Sequence, residues 1–512
     1  MTFLTDAERT TLASLSRLTF CNPFLEERIE LERRVLGDAF VALDPVWHAQ
    51  VDLLEENPNV ERIYIVAEEL ADRLRQRLLD GARPRSADRD LYRELVLYVL
   101  YYRYQVRFLD ALLRGPRDGK PAKVTFYADF ARDLEHFLDI AGSGPLPFRS
   151  TEHLFAGFFQ VRRAFHFIFR QIAGSSLPVA RLRAQIWESI FTHDLRRHLR
   201  SLYDRMGDLT TLVIGPSGTG KDLVARAIGL SRFIPFDPAT GRFVETYEES
   251  YYALNLSALS PTLIESELFG HRRGAFTGAV ADRTGWLEIC PPRGTVFLDE
   301  IGELDPEIQV KLLRVLETRT FQRLGETQDR PFRGKVVAAT NRDLGGEMSA
   351  GRFRDDLYYR LCSDIVRAPS LAERLADSPG ELSILVRFLA HRLIGEEEAE
   401  PLAREVEEWI SRNLDPAYSW PGNVRELAQC VSNVLVRSRY EPLAAPEPHS
   451  LIAGLEADFS AAELPAEEIL RRYCTLAYAR AGSYQQAARR LGLDRRTVKA
   501  RIDERLLAKL RS

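Results

Sequence analysis

The most constraining feature of this chain is a glycine-rich loop between a short β-branched run and a helix-forming run. The run TLVI at 211–214 leads into GPSGTGKD, and LVARAIG follows at 223–229. Glycines let the backbone wrap around a phosphate, while amide N–H groups and the helix N-terminus stabilise its charge. A strand, such a loop and a helix in this order predict a parallel α/β sheet. The candidate phosphate-binding residues are Gly215, Pro216, Ser217, Gly218, Thr219, Gly220, Lys221 and Asp222.

Two residues of this loop decide how it is interpreted. Lys221 would reach the β- and γ-phosphates of a nucleotide. Asp222 stands where such loops usually carry Ser or Thr, so its contribution near a metal ion stays open. Taken alone, the loop could also be a glycine-rich turn before a helix.

A second β-branched run ends in two adjacent carboxylates. The run VFLDE occupies 296–300, and a buried carboxylate is costly unless a partner compensates its charge. Asp299 would hold Mg²⁺ directly or through a coordinated water, and Glu300 would orient and deprotonate the attacking water. Together with the glycine-rich loop, this run predicts ATP hydrolysis with Mg²⁺ as the second cofactor.

Two further groups of polar residues follow along the chain. The run VVAATN at 336–341 ends in Thr340 and Asn341, which would sense the γ-phosphate or simply cap the strand end. Arg354 and Arg360 flank the segment DDLYY. Arginine stabilises a γ-phosphate in a neighbouring subunit's site, and surface ion pairs are the alternative role.

The patterning before residue 183 is helical. In LYRELVLYVLYYRYQVRFLDALL at 91–113, apolar side chains recur at helical spacing. An amphipathic core helix explains this spacing best, and a ligand pocket or partner-binding face is the alternative. The residues at that spacing are Leu91, Leu95, Tyr98, Tyr102, Val106 and Leu109.

Charge and cysteine content restrict the class of protein further. The net charge is −4, yet the segment 465–512 holds 12 Lys and Arg residues against 5 Asp and Glu residues, a net charge of +7. A basic terminal segment is typical of a nucleic-acid-binding appendage, and of a basic solvated helix. The 5 cysteines are scattered, which argues against a disulfide framework or a zinc module. With neither a leader pattern nor a long apolar stretch, we expect a cytoplasmic protein without membrane partners.

The six-residue motif GAFTGA at 274–279 makes the chain recognisable. It follows ESELFGH at 265–271 and contains two glycines, a threonine and an aromatic residue. Such a loop suits a mobile tip that touches a partner. With this motif the chain resembles the central AAA+ ATPase domain of sigma-54-dependent transcriptional activators, over about 185–440 and at the C-terminus. The resemblance implies that the loop engages sigma-54. Its residues are Gly274, Ala275, Phe276, Thr277, Gly278 and Ala279.

The other motifs of that family occur in the expected order. They are the phosphate loop, ALNLSAL, FLDE, AATN, RFRDDLYYRL and WPGNVREL. The resemblance implies that Asn255 restrains Glu300 between turnovers, that Arg354 and Arg360 act on a neighbouring subunit, and that Arg425 is the lid residue that contacts nucleotide. It also implies a homo-oligomer, from dimer to hexameric ring. Two departures are Asp222, where glutamate is common, and the lengthened stretch IPFDPATGRFVETYEES at 234–250.

The C-terminal stretch SYQQAARRLGLDRRTVKARI resembles a Fis-type helix-turn-helix. Ala487, Ala488 and Leu491 would pack the first helix, Gly492 would permit the turn, and Asp494 would cap the recognition helix. Basic side chains would then face double-stranded DNA upstream of a promoter. A helical hairpin used only for dimerisation is the alternative. The candidate DNA-binding residues are Arg495, Arg496, Thr497, Lys499 and Arg501.

These features predict a multidomain α and α/β protein. It would couple ATP hydrolysis in an AAA+ ring to remodelling of the closed complex of sigma-54 and RNA polymerase. A DNA-bound regulator with a vestigial ATPase, or a protein-remodelling AAA+ chaperone, are the competing hypotheses. The signal sensed by the first region is open, because it lacks the Asp and Lys pattern of a receiver domain. The predicted domains are a helical regulatory region at 1–182, an α/β ATPase subdomain at 183–366, a helical lid at 367–440, a linker at 441–463 and a DNA-binding unit at 464–512.

Overall fold

The fold is taken from a computed structural model of the chain. It separates into two compact units, Met1–Val436 and Arg437–Ser512. Most of the predicted linker, 443–463, lies outside the described residues. The structure describes residues 2–42, 57–116, 119–144, 148–416, 418–442, 465–503 and 506–507.

In its described residues, the first unit begins with a bundle of seven helices. Several of them start at residues that satisfy free backbone N–H groups. Thr5 and Glu8 form a reciprocal capping box on the first helix, and Ser150 accepts a hydrogen bond from the backbone N–H of His153. The helices are α1 Asp6–Phe20, α2 Glu26–Leu36, α3 Pro58–Leu79, α4 Ser86–Leu113, α5 Tyr127–Leu138, α6 Thr151–Gln171 and α7 Leu177–Phe191.

A five-stranded sheet follows, in the order β11-β1-β10-β7-β4 with every neighbouring pair parallel. This order places the carboxyl ends of β1, β7 and β10 side by side, which is where ligands bind in open α/β sheets. The fold class predicted from the sequence is thereby confirmed. The strands of this sheet are β1 Thr211–Ile214, β4 Tyr251–Asn255, β7 Thr295–Asp299, β10 Lys335–Thr340 and β11 Asp364–Arg367.

Shorter strands and further helices complete the first unit. The described residues also form three antiparallel two-stranded ribbons outside the five-stranded sheet. They are β2 Phe236–Asp237 with β3 Arg242–Phe243, β5 Gly270–His271 with β6 Arg283–Thr284, and β8 Thr320–Phe321 with β9 Arg330–Pro331. The helices are α8 Leu195–Arg197, α9 Lys221–Gly229, α10 Pro261–Phe269, α11 Trp286–Ile289, α12 Pro306–Thr318, α13 Leu344–Ser349, α14 Asp355–Leu361, α15 Leu371–Asp377, α16 Glu381–Ile394, α17 Glu396–Asn413 and α18 Asn423–Arg437.

The helical bundle and the sheet share one hydrophobic core. Apolar side chains of α6 and α7 pack in the same buried cluster as Val224 and Ile228 of α9, and as Val213 and Phe297 of the sheet. Helix α7 also runs across the boundary predicted at 182/183. Helices α6 and α7 therefore contact α9, the helix that begins at Lys221.

The inserted stretch at 234–250 forms the β2–β3 ribbon, which packs against the bundle. The Phe243 ring lies 4.1 Å from the Phe159 ring of α6, and the Phe236 ring lies 4.7 Å from the Phe155 ring. The backbone N–H of Val124 donates to the Gly241 carbonyl at 2.8 Å. The insertion thus holds the helical bundle onto the sheet domain.

A buried ion pair ties the α6–α7 turn to the helices after β11. Arg374 of α15 and Glu381 of α16 are 2.6 Å apart, and both are buried. The second oxygen of Glu381 accepts hydrogen bonds from the backbone N–H groups of Ser175 and Ser176, and Arg374 donates to the Ala173 carbonyl. Burial lowers the pKa of Arg374. Removing one partner of such a pair leaves an uncompensated buried charge.

The tyrosine-rich segment is the central helix α4 of the bundle. Leu95 and Tyr98 are buried in the core, and Leu91, Tyr102 and Leu109 pack against it. Val106 is 61% exposed, so the predicted apolar stripe breaks at that position. The core interpretation therefore holds for this helix except at Val106. No helix in the described parts of the chain is long and apolar enough to cross a membrane.

Among its described residues, the second unit contains three helices that pack together. Its core consists of Ala477, Ala487, Ala488 and Val498, with Leu491 and other apolar side chains packed around it. These alanines allow the helices to approach closely. The helices are α19 Ala466–Ala481, α20 Tyr484–Leu491 and α21 Arg495–Ala500.

Candidate functional site

The glycine-rich loop connects β1 to α9 in a conformation that requires glycine. Gly218 and Gly220 have φ angles of 79° and 85°, in the region that L-residues avoid. A Cβ atom on Gly218 would come within 2.2 Å of the Gly422 carbonyl oxygen, and one on Gly215 within 2.5 Å of the Ala368 carbonyl oxygen. The loop is therefore shaped by close approach of two backbone segments that lie after β11.

Lys221 begins α9 and is buried under this loop. Its ammonium group donates to the carbonyl oxygens of Gly215 at 3.0 Å and Pro216 at 3.2 Å. Burial lowers the pKa of Lys221, and the nearby carboxylates of Glu300 and Asp299 oppose that shift. The ammonium group is thus held inside the curve of the loop, where a phosphate oxygen would replace the carbonyl partners. The adjacent Asp222 lies in the first turn of α9.

Asp299 and Glu300 stand at the end of β7, beside the loop. Burial and the charge of Glu300 raise the pKa of Asp299, while Lys221 opposes the rise. Glu300 has φ 58° and ψ 51°, a left-handed conformation that costs a non-glycine residue about 1–2 kcal/mol. Strain of this kind persists where surrounding structure imposes it, often at functional sites. The left-handed backbone at Glu300 turns its side chain away from the direction of β7.

The structure gives Glu300 a partner that the sequence did not predict. One carboxylate oxygen of Glu300 accepts a hydrogen bond from the backbone N–H of Asn341 at 3.3 Å. Asn255 lies opposite Asp299 in the β4–β7 register, but its side-chain oxygen accepts from the backbone N–H and hydroxyl of Ser257. In this state the carboxamide of Asn255 is held by Ser257, so its role as the restraint on Glu300 stays a prediction.

Thr340 and Asn341 reach the same sheet edge from β10. Thr340 is fully buried, and its hydroxyl oxygen accepts from the backbone N–H of Arg342 at 3.1 Å. The Asn341 side chain is exposed. Asn341 thus meets Glu300 through its backbone, while Thr340 caps the turn that follows the strand.

Helix α18 closes over the loop from the far side. The Arg425 guanidinium donates to the Ser217 hydroxyl at 3.1 Å, and its backbone N–H donates to the Gly218 carbonyl at 3.3 Å. Asn423 has no role assigned from the sequence, yet its side chain donates to the Ser217 carbonyl and accepts from the Leu371 backbone N–H. The sequence signal that could have identified Asn423 is its position inside the motif WPGNVREL.

Arg354 and Arg360 lie on the surface at α14. Arg354 pairs with Asp356 at 2.7 Å, and Arg360 pairs with Glu317 at 3.3 Å. Both side chains are about half exposed. Within one chain they form the surface ion pairs that the sequence left as the alternative, and exposed pairs of this kind exchange readily for a better partner.

The six-residue loop 274–279 projects between β5 and β6. Its ends are closed by a hydrogen bond from the Gly274 N–H to the Ala279 carbonyl at 2.8 Å. Gly274 and Gly278 have positive φ angles, and no atom lies within 4 Å of a Cβ built on either. Thr277 is exposed, whereas the Phe276 ring is partly buried, with its centroid 4.9 Å from that of His271. The aromatic side chain is thus less exposed than its flanking glycines suggested.

The base of this loop is braced by ion pairs. Arg272 bonds Asp282 at 2.5 Å and Glu326 at 3.0 Å, and the second oxygen of Asp282 accepts from the Arg273 N–H. A braced base and an open tip leave Thr277 free to meet a partner.

The second unit presents basic residues on α21 and directly after it. Asp494 caps α21 by accepting from the backbone N–H groups of Arg496 and Thr497 at 2.8 and 2.9 Å. Gly492 has φ 66°, which forms the turn between α20 and α21. Arg495, Arg496 and Lys499 are exposed, and Thr497 and Arg501 are partly exposed.

This edge of the sheet suits a nucleotide with a divalent cation. The Lys221 ammonium group lies inside the glycine-rich loop, and the carboxylates of Asp299 and Glu300 lie nearby. A carboxylate in this place suits a cation that takes its other ligands from phosphate oxygens and water, as Mg²⁺ commonly does. The described residues contain no cluster of three or more His, Cys, Asp or Glu side chains suited to a metal.

Comparison with known proteins agrees with this geometry. Residues 188–366 match the family described as Sigma-54 interaction domain. The chain is 42% identical over 300 residues to the Nif-specific regulatory protein of Azotobacter vinelandii, covering 57% of this chain and 53% of that protein. It is 37% identical over 300 residues to the transcriptional regulatory protein ZraR of Escherichia coli (strain K12), covering 58% and 63%. The chain thus spans between half and two thirds of these relatives.

A solved structure, NtrX from Brucella abortus in complex with ATP, covers 70% of this chain and 75% of that one. Its sequence identity is 23% and its TM-score is 0.39, too low to compare the two arrangements. The match of residues 188–366 to the sigma-54 interaction domain agrees with the parallel sheet and the glycine-rich loop that these residues form.

Proposed function

We propose that this chain is a sigma-54-dependent transcriptional activator. It binds ATP with Mg²⁺, hydrolyses ATP in a homo-oligomeric ring and uses the 274–279 loops to remodel the closed complex of sigma-54 and RNA polymerase. The observation that carries the proposal is that Lys221, Asp299 and Glu300 lie together at the carboxyl edge of the sheet, in a domain that also projects the loop 274–279.

The chain's own residues divide the chemistry between them. Lys221 and the loop N–H groups bind the phosphates, and Asp299 holds the cation, which neutralises charge on the phosphates when bound. Glu300, positioned by the Asn341 N–H, orients the attacking water and takes its proton. Arg425 joins the lid to the loop, so nucleotide binding and lid position are linked.

The oligomer would complete the site. Arg354 and Arg360 lie on an exposed surface of α14 and would exchange their ion pairs for the γ-phosphate of a neighbouring subunit. Arginine suits this exchange because its charge persists at any physiological pH.

The two competing hypotheses leave different structural features without a role. A regulator with a vestigial ATPase would not need a strained Glu300 beside Asp299 and Lys221. A chaperone unrelated to transcription would not need the capped basic helix of the second unit. Both features are present.

The test is promoter opening by the full chain. Added to RNA polymerase with sigma-54 and a linear promoter fragment, the protein should produce heparin-resistant open complexes with ATP and none with a non-hydrolysable analogue. The control is polymerase carrying the housekeeping sigma factor on its own promoter, which should not respond. ATP hydrolysis without opening at any sigma-54 promoter would support the chaperone instead.

A second expected result concerns DNA retention. Removing residues 465–512 should abolish specific binding to upstream DNA, because this segment carries a net charge of +7 and the exposed recognition helix. Binding by the intact protein should weaken steeply with salt, as expected when lysine and arginine displace counterions. ATP hydrolysis should be retained, because the deleted helices belong to the second compact unit. The measurement is an electrophoretic shift at several salt concentrations.

The matched control for that deletion is Arg480→Ala, near the end of α19. It should leave DNA affinity within a few fold, whereas Lys499→Ala should weaken binding and reduce the salt slope by about 1. Unchanged DNA affinity after the deletion would show that DNA is bound elsewhere.

A further inference from the structure

Two carbonyl groups of the glycine-rich loop are bonded to the start of α18. The Ser217 carbonyl accepts a hydrogen bond from the side chain of Asn423 at 3.0 Å, and the Gly218 carbonyl accepts one from the backbone N–H of Arg425 at 3.3 Å. The Lys221 ammonium group bonds two earlier carbonyl groups of the same loop. The loop thus divides its carbonyl groups between the buried lysine and α18.

The bonds to α18 also set the direction of two backbone N–H groups. In a trans peptide unit the C=O group and the N–H group that follows it point in opposite directions. With the Ser217 carbonyl held by α18, the Gly218 N–H points away from α18, and the Gly218 carbonyl directs the Thr219 N–H in the same way. Within the described parts of the chain, neither N–H group donates a hydrogen bond. Both are therefore available to a phosphate, as N–H groups before a helix commonly are.

The Asn423 side chain has one possible orientation, because its partners are backbone groups. Its oxygen accepts from the Leu371 N–H at 2.8 Å, so its nitrogen faces the Ser217 carbonyl, with a longer contact to the Pro421 carbonyl at 3.4 Å. Asn423 is 4% exposed, which limits replacement of these partners by water. Its φ of 54° is left-handed, a conformation that asparagine adopts more readily than most residues. The side chain is thus fixed at both ends.

A role for Asn423 in the start of α15 alone would leave the amide nitrogen without a purpose. Leu371 begins α15, but this helix has its own capping box, in which Ser370 and Glu373 bond each other's backbone N–H groups. An aspartate at position 423 would accept the Leu371 N–H equally well. Only the bond to the phosphate loop requires a donor at that position.

We propose that Asn423 is a positioning residue for the bound nucleotide: it holds the Ser217 carbonyl against α18 and so directs the Gly218 N–H to a phosphate oxygen. This inference rests on the proposed function. Because the N–H group would bind phosphate before and during hydrolysis, its loss should weaken nucleotide binding without slowing the hydrolysis of bound ATP to the same extent. Movement of α18 away from the loop would release both carbonyl groups, so the affinity for phosphate follows the position of α18.

The first test is Asn423→Gly, which removes both hydrogen bonds and retains a residue that accepts a positive φ. The affinity of the full chain for ATP and ADP with Mg²⁺ should fall at least about tenfold, because a hydrogen bond to a charged group is lost. The KM for ATP should rise to a similar extent, whereas kcat should change less than about threefold. The measurements are calorimetric titration and steady-state phosphate release, with the unfolding temperature recorded without nucleotide.

Ser370→Ala is the matched control. It removes one half of the capping box of α15 and leaves the bond between Asn423 and Ser217 in place. It should bind ATP as the wild type does. Equal loss of affinity in Ser370→Ala and Asn423→Gly would overturn the proposal in favour of a structural role at the start of α15, and a loss confined to kcat would do the same.

A second variant keeps the test decisive if Asn423→Gly folds poorly. Asn423→Asp retains the acceptor for the Leu371 N–H and tolerates the left-handed backbone, but it lacks the donor to Ser217. Its new charge would also repel phosphate, so binding is repeated in about 1 M salt, which screens charges beyond roughly 3 Å. The loss of affinity should persist there. The proposal is wrong if either variant binds ATP as the wild type does in that salt.

The wild type separates this inference from the proposed function. A wild type that binds ATP without hydrolysing it would reject the ATPase and leave the comparison of affinities valid. A wild type that hydrolyses ATP while Asn423→Gly binds ATP normally would reject only the role of Asn423.

Discussion

Glu300→Gln is expected to lower the rate of ATP hydrolysis by about 10²- to 10⁴-fold, the usual contribution of a general base. The carboxylate sits on a strained residue beside Asp299, with one oxygen on the Asn341 N–H. Glutamine preserves the size of the side chain and can still accept that hydrogen bond, but it cannot take a proton from water. ATP binding should persist, because Lys221 and the glycine-rich loop are unchanged.

The measurement pairs phosphate release under saturating ATP with equilibrium binding of a fluorescent ATP analogue. Glu303→Gln is the matched control, since Glu303 lies on the next turn and pairs with Arg342. That control should hydrolyse ATP at nearly the normal rate. Normal turnover in Glu300→Gln would assign the base to another residue, and equal loss in both variants would indicate a structural effect of the turn.

Thr277→Ala is expected to abolish promoter opening while leaving ATP hydrolysis within a few fold, a barrier change under about 1 kcal/mol. Thr277 is exposed at the tip of a loop whose base is braced by Arg272 and Asp282. Thr277 is also separated in sequence from Lys221, Asp299 and Glu300. Loss of the hydroxyl and methyl group should therefore act on partner contact and not on phosphate chemistry.

Both activities should be measured on the same preparation, with an ATP transition-state analogue added to capture sigma-54 on the ring. Capture should occur with the wild type and fail with Thr277→Ala. Thr327→Ala, an exposed threonine in the turn between β8 and β9, is the control and should retain both activities. Parallel loss of hydrolysis and opening would make the loop structural, and retention of both would exclude it from sigma-54 contact.

The sheet domain could be read from sequence because its signals are local. Each strand that carries chemistry is a short β-branched run followed by a turn with special residues, as at Gly215 and Glu300. The parallel sheet was predicted from those runs, whereas the strand order β11-β1-β10-β7-β4 is known from the structure alone. The helical content of the first region was predictable in the same way, through spacing such as that of Leu95 and Tyr98.

Contacts between distant segments could not be predicted, because no periodicity encodes them. Arg374 and Glu381 form hydrogen bonds with the backbone of the α6–α7 turn, which lies about 200 positions earlier in the chain. The burial of Arg163 depends on Tyr247 from the insertion. Even at the site, the hydrogen bond from the Asn341 backbone N–H to the Glu300 carboxylate occurs with a left-handed backbone conformation at Glu300. The sequence does not indicate that conformation.

The shared core of the helical bundle and the sheet has a consequence for the design of chimeras. A region that is joined to the next by a flexible tether can be exchanged by gene fusion without disturbing either part. Here Val213 and Phe297 of the sheet are buried in the same cluster as side chains of α6 and α7, and helix α7 crosses the boundary at 182/183. Fusion at that point would expose apolar surface on both fragments. We therefore expect a chimera joined at 182/183 to be less stable than this chain.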